Sequence, residues 1–142
     1  MSIETDIDAF LRKLDIDISK VLLTNVTETA KDALYREIYD EVYAKYEPKK
    51  YVRKYDLGGL SDKETNMMAT VDVATRTLEV EDVREDEGTG ADVAAKVEQG
   101  YWFPNRQFFM PPRPFHKPAE ERLIATGDAD KALENGLHDL GY

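Results

Sequence analysis

Val21-Leu22-Leu23-Thr24-Asn25-Val26-Thr27-Glu28-Thr29-Ala30-Lys31-Asp32-Ala33-Leu34-Tyr35-Arg36-Glu37-Ile38-Tyr39-Asp40-Glu41-Val42-Tyr43 is the longest stretch of the chain that keeps one period. Val21, Leu22, Val26, Ala30, Ala33, Leu34, Ile38 and Val42 recur at the spacing that lines one face of an α-helix. The helix is expected to run to Pro48, which disfavours helical geometry at the preceding Glu47. Tyr35, Tyr39 and Tyr43 follow beside that stripe at i, i+4 intervals, and Tyr46 lies three residues further on. Their rings can flank the core with hydroxyls at its rim. They can also form a contact surface, because tyrosine is enriched where proteins meet.

Working outward toward the N-terminus, Ile3, Ile7, Phe10, Leu11 and Leu14 predict a short amphipathic helix, with Asp6 and Asp8 where the helix dipole favours anions. Asp15-Ile16-Asp17-Ile18-Ser19 interrupts the period, so the long helix is expected to start afresh there, capped by Asp17 or Ser19. Residues 1–18 are therefore expected as an extension of a single domain whose body is residues 19–142. Toward the C-terminus, residues 48–64 read as an ordered loop with a Gly58-Gly59 pair. Ala69, Val71 and Val73, then Leu78 and Val80, alternate with polar residues and predict an antiparallel hairpin with one wet, acidic face. Asp82 to Gly90 reads as a mobile acidic loop. Ala91 to Gln99 reads as a short helix stopped by Gly100. Tyr101 to Phe115 carries four prolines and no acid, and is expected to be an irregular aromatic loop. A C-terminal helix follows from Pro118, interrupted at Thr126-Gly127-Asp128. The expected class is α+β: a long N-terminal helix, a small antiparallel sheet, a short helix, the aromatic loop and the C-terminal helix.

At 142 residues the chain suits one domain. It carries 19 Lys plus Arg against 29 Asp plus Glu, a net charge of −10, and no cysteine. Disulfides, thiolate catalysis and Cys-ligated metals are thereby excluded. No apolar run approaches the roughly 20 residues of a bilayer span, so no membrane partner is expected. The charge is segregated. Residues 45–54 and 101–118 are basic islands, whereas 79–98 is strongly acidic. Duplex-DNA binding needs an extended basic face, which this pattern does not offer. The basic islands can instead be solvated loops, or can dock on the acidic segment of a neighbouring copy. His116 and His138 lack metal-ligand spacing, and Gly88-Thr89-Gly90 lacks the Lys-Ser or Lys-Thr of a phosphate loop and is flanked by Asp86, Glu87 and Asp92. No catalytic constellation, cofactor site or metal site is read from the sequence, and an enzyme is not expected. Trp102, Phe103, Phe108 and Phe109 are too many large apolar groups for one exposed loop of a lone subunit, and mark a candidate interface.

The run Val42-Tyr43-Ala44-Lys45-Tyr46-Glu47-Pro48-Lys49-Lys50-Tyr51-Val52-Arg53, with Leu57 and Leu60 after it, resembles the helix-end segment of tail-completion or head–tail joining (neck) proteins of long-tailed bacteriophages. Ala95-Lys96-Val97-Glu98-Gln99-Gly100, followed by Arg113-Pro114-Phe115 and a terminal helix, resembles the closing pattern of the same family. The chain departs from that pattern where Lys54-Tyr55-Asp56 intervene before the glycines, and in its extra N-terminal helix. The resemblance implies a structural virion protein at the head–tail junction, made in the bacterial host cytoplasm. It would form a homo-oligomeric ring of six copies that joins tail to head by contacts with other neck, connector and tail proteins. DNA would pass through without sequence-specific binding. Tyr43, Tyr46, Pro48, Tyr51, Arg53, Arg113, Pro114 and Phe115 would join the aromatic loop as interface residues. The competing expectation from charge alone is an acidic interaction module such as an antitoxin, an inhibitor or a DNA mimic.

Overall fold

The computed structural model describes residues 3–48, 52–103 and 108–142. Helix α1 spans Ile3–Val21, a π-helical turn spans Leu22–Val26, α2 spans Thr27–Glu37, and a second π-helical segment spans Ile38–Tyr43. Their junctions keep right-handed helical dihedrals, so the chain is one rod from Ile3 to Tyr43. The break expected at Asp15–Ser19, with a new cap at Asp17 or Ser19, is not there: the residues stay helical and the Ser19 hydroxyl donates back to the Asp15 carbonyl at 3.0 Å. What changes at that point is the partner of the apolar face. Ile7, Phe10 and Leu11 are exposed, whereas from Ile18 onward the stripe is packed.

The π-helical segments follow from the spacing. Ile18, Leu22, Val26, Ala30, Leu34, Ile38 and Val42 are each four residues apart. At 3.6 residues per turn such a stripe drifts about 40° per step and would leave the core within a few turns. Wider turns with i→i+5 bonding take up the drift. The first is pinned by buried Thr27, whose hydroxyl and N–H both donate to the Leu22 carbonyl. The rod ends at Tyr43, before Pro48 is reached, because Arg53 takes the freed carbonyls of Tyr43 (3.0 Å) and Tyr46.

A one-turn helix α3 (Lys63–Asn66), capped by Asp62, leads into β1 (Met67–Asp72), which pairs antiparallel with β2 (Thr77–Asp82) from Met67↔Asp82 to Asp72↔Thr77. Ala69, Val71, Leu78 and Val80 face inward and Asp72, Glu79 and Glu81 outward, as the alternation predicts, but Val73, expected with them, lies past the end of β1 and is exposed. Between Asp82 and the next helix the chain closes on itself through a Glu85–Asp92 bridge. Helix α4 (Val93–Gln99) is capped by Asp92, and Gly100 leaves it at φ +79°.

The stretch expected as an irregular aromatic loop is instead partly a hairpin. Strand β3 (Tyr101–Phe103) pairs antiparallel with β4 (Phe108–Met110). A two-stranded ribbon has only edge strands, and Pro111, Pro112 and Pro114 fall after β4, where no ladder bond is lost. Helices α5 (His116–Thr126) and α6 (Asp128–Asp139) complete the chain, split by Gly127 at φ +69° where the interruption was expected.

Two apolar clusters share the rod. One joins Leu34, Ile38 and Val42 to Leu60, Met67, Val97 and Phe115. The other joins Val21, Leu22 and Val26 to Val71, Leu78 and the α6 residues Leu133 and Leu137. Buried Glu37 receives the Arg122 Nε at 2.6 Å and so ties α2 to α5. Residues of the expected N-terminal extension are tied down as well: Asp15 accepts from Arg76 at the hairpin turn, and Asp17 from the Tyr142 hydroxyl at 2.7 Å. Gly136 lets α6 reach the rod, since a Cβ there would stand 2.3 Å from Val21 Cγ1. Gly136→Val is expected to destabilise the protein by about 1–3 kcal/mol through overpacking, read as a lower urea midpoint.

Candidate functional site

The tyrosine row turns its hydroxyls onto the loop that follows the rod. Asp56 accepts from Tyr35 (2.9 Å), Tyr39 (3.1 Å) and the buried Ser61 hydroxyl (2.6 Å), and Tyr43 shares a hydrogen bond with Ser61 at 3.2 Å. Tyr55, held at φ +49°, lays its ring against Tyr43 edge-on and stacks with Tyr39. The Ser61 hydroxyl, then those of Tyr35 and Tyr39, hold the Asp56 carboxyl below its ordinary range. Burial, then its bonds with Tyr35 and Asp56, pushes the Tyr39 phenol up. The row is therefore an internal clasp for the loop. Asp56, Ser61 and Tyr55 are its hidden half, and no local pattern in the sequence marks them.

Among the residues expected at an interface, Tyr43 is half-buried under the Arg53 guanidinium, 4.9 Å from its ring centre. Tyr46 and Pro48 are half-buried, with Arg113 5.5 Å from the Tyr46 ring centre. Tyr51 and the side chain of Phe103 lie outside the described residues. Arg113 is buried, its N–H bonded to the Val97 carbonyl at 2.9 Å; Pro114 is exposed; and Phe115 is wholly buried in the core. Phe115 thus has no surface to offer a partner. The start of its helix is held by one atom of α4: Glu98 Oε1 accepts from Phe115 N (3.0 Å), His116 N (2.8 Å) and His116 Nδ1 (2.6 Å). His116 Nε2 in turn accepts from the Asp82 N–H at 2.9 Å. The 18-position separation of Glu98 and His116 leaves this cap without a signature in the sequence.

The β3–β4 hairpin is different in kind. Trp102 is 66% exposed, Phe108 50% and Phe109 39%, and the Trp102 and Phe109 rings meet at 5.3 Å. Cross-strand pairing of Trp102 with Phe109 puts these two rings on one face of the ribbon, and strand alternation puts Phe108 on the other. The basic island beside the rod is partly neutralised within the chain, Lys45 by Glu41 and Lys54 by Glu87 at 3.1 Å. That uses up part of the charge which the sequence offered to a neighbouring copy. Among the described residues no group of acids and histidines is placed to hold a metal ion, and no helix is long and apolar enough to cross a membrane.

A family model described as YomN matches residues 6–139, and the chain belongs to the YomN family. The name is a Bacillus phage-derived one, which points to a phage-related protein. No curated protein and no solved structure matches the chain.

Proposed function

We propose that this member of the YomN family is a structural protein of the head–tail junction of a tailed phage, working by binding and without turnover. In this reading copies assemble into a ring, of six by the resemblance described above, that joins tail to head and lets DNA pass. The observation that carries it is the exposed aromatic hairpin: Trp102 and Phe109 pair on one face of the β3–β4 ribbon and Phe108 is exposed on the other, and exposed apolar surface of that kind marks protein contacts. The family's phage-derived name and the phage-type segments at 42–60 and 95–115 support the setting.

The test is a virion carrying Trp102→Ser, Phe108→Ser and Phe109→Ser together. Because these rings are exposed, the variant subunit is expected to fold with an unchanged urea midpoint, while lysates accumulate DNA-filled heads and free tails. Normal infectious particles from the variant would overturn the reading. Trp102, the single tryptophan, adds a readout without mutation. Its emission is expected to be red-shifted and open to quencher in the isolated subunit, and to move blue and become protected on assembly.

A further inference from the structure

A cavity of about 400 Å³ opens between the end of the rod, the loop after it and α4. Five cations line it, Arg53, Lys54, Arg84, Lys96 and Arg113, against the single carboxylate of Asp86. In a chain of net charge −10 this is a concentrated reversal of sign. Lys54 is paired with Glu87, and Arg53 is committed to the Tyr43 and Tyr46 carbonyls. Arg84, Lys96 and Arg113 have no ion pair among the described residues. Asp86 accepts from the Thr89 hydroxyl and from Gly88 N, the bonds that keep its carboxyl below its ordinary range.

Arg113 sets this cavity apart from a solvated basic patch. Its residue is 8% exposed, and its Nε is buried with no hydrogen-bond partner. A buried guanidinium with an unpaired donor is costly, so a nearly buried cation in the cavity wall favours an anionic neighbour. Guanidinium groups offer planar pairs of donors that match phosphate and carboxylate oxygens. Three unpaired cations outweigh one carboxylate group and suit the roughly two negative charges of a phosphate monoester. The rest of the lining is apolar and aromatic, with Val42, Leu60, Val93, Tyr43 and Tyr55, and the volume is within the range of small-ligand sites.

We propose that this cleft binds an organic phosphate of nucleotide size, the phosphoryl group meeting Arg113, Arg84 and Lys96 and the organic body lying against the tyrosine and valine wall. Tyr101 of β3 lines the cleft on the hairpin face opposite Trp102, and the proposal does not rest on the junction role.

Calorimetric titration of the full chain at low salt with thymidine 5′-monophosphate, thymidine, inorganic phosphate and a glutamate-rich peptide tests it. The nucleotide is expected to bind about tenfold or more tightly than either thymidine or inorganic phosphate. Arg84→Gln with Lys96→Gln, both at least partly exposed positions, should weaken it by about tenfold or more while the variant still unfolds in one cooperative transition. Lys63→Gln, on a cation paired with Asp32 away from the cleft, should not. Arg113→Gln should abolish binding if that variant folds, and the double variant decides the matter if it does not. Absence of nucleotide binding at millimolar concentration, or binding indifferent to the double variant, would overturn the proposal. So would inorganic phosphate binding as tightly as the nucleotide, or the peptide binding more tightly.

Discussion

Phe115→Ala is expected to lower the unfolding free energy by about 3–5 kcal/mol, the range for truncating a buried aromatic ring. Phe115 has no exposed surface and packs where the rod, α4, α5 and the loop at Leu60 converge, so no single element can collapse into the space it leaves. Against a typical domain stability of about 5–15 kcal/mol this is roughly a fifth of the total or more. With a urea dependence of about 2 kcal/mol/M the midpoint should fall by roughly 2 M. Trp102→Ala, at an exposed site, should move it by less than about 0.5 M. Similar midpoints for the two variants would show that Phe115 does not anchor the core. The same contrast governs the biology. Loss of head–tail joining in a Phe115 variant would report a missing subunit, whereas loss in a hairpin variant reports a missing contact.

The rod, the first hairpin, the α4 helix and the Gly127 break were legible because each rests on a local pattern: a four-residue apolar recurrence, a two-residue alternation, a glycine just past a helix. The π-helical segments were not, since a recurrence of four looks like an ordinary helix until the drift over six steps is reckoned against the core. The interruption at Asp15–Ser19 was read as a change of backbone and proved to be a change of packing partner, with Ile16 outward and Ile18 against the second cluster. Prolines hid β3 and β4, because they border the strands that the sequence reading denied. The Asp56 clasp, the Glu98 cap and the cationic cleft join residues from separate segments. Only the folded chain brings Arg53, Arg84, Lys96 and Arg113 to one cavity.

Wild-type stability is expected to fall between about pH 4 and pH 7 through Asp82, and Asp82→Asn should remove that loss. Asp82 ends β2 with 5% of its surface exposed, and its Oδ2 has no hydrogen-bond partner. Oδ1 accepts only the Arg84 N–H, at 3.1 Å. Burial pushes the carboxyl up to about 7 from 3.8, and the nearby carboxylates of Asp92 and Asp62 add to the rise, opposed by the Arg84 N–H and charge. The folded state therefore holds this proton where the unfolded chain has released it. Below about pH 4 both states are protonated and the group has no effect on the balance. As pH rises through the window the unfolded state ionises first, and stability is lost until the folded carboxyl ionises too. The full effect, reached above pH 7, is on the order of 4 kcal/mol by linkage. Asp56 and Asp62 act in the opposite sense, because their carboxyls are held below 3.8 and lend stability that is lost only as pH falls below that range. The two contributions therefore separate along the pH axis. Urea unfolding at pH 4.5 and pH 8 should show Asp82→Asn gaining over the wild type by roughly 2–4 kcal/mol more at the higher pH. An equal difference at both pH values would mean that Asp82 is charged in the folded protein throughout, its burial compensated by the Arg84 side chain.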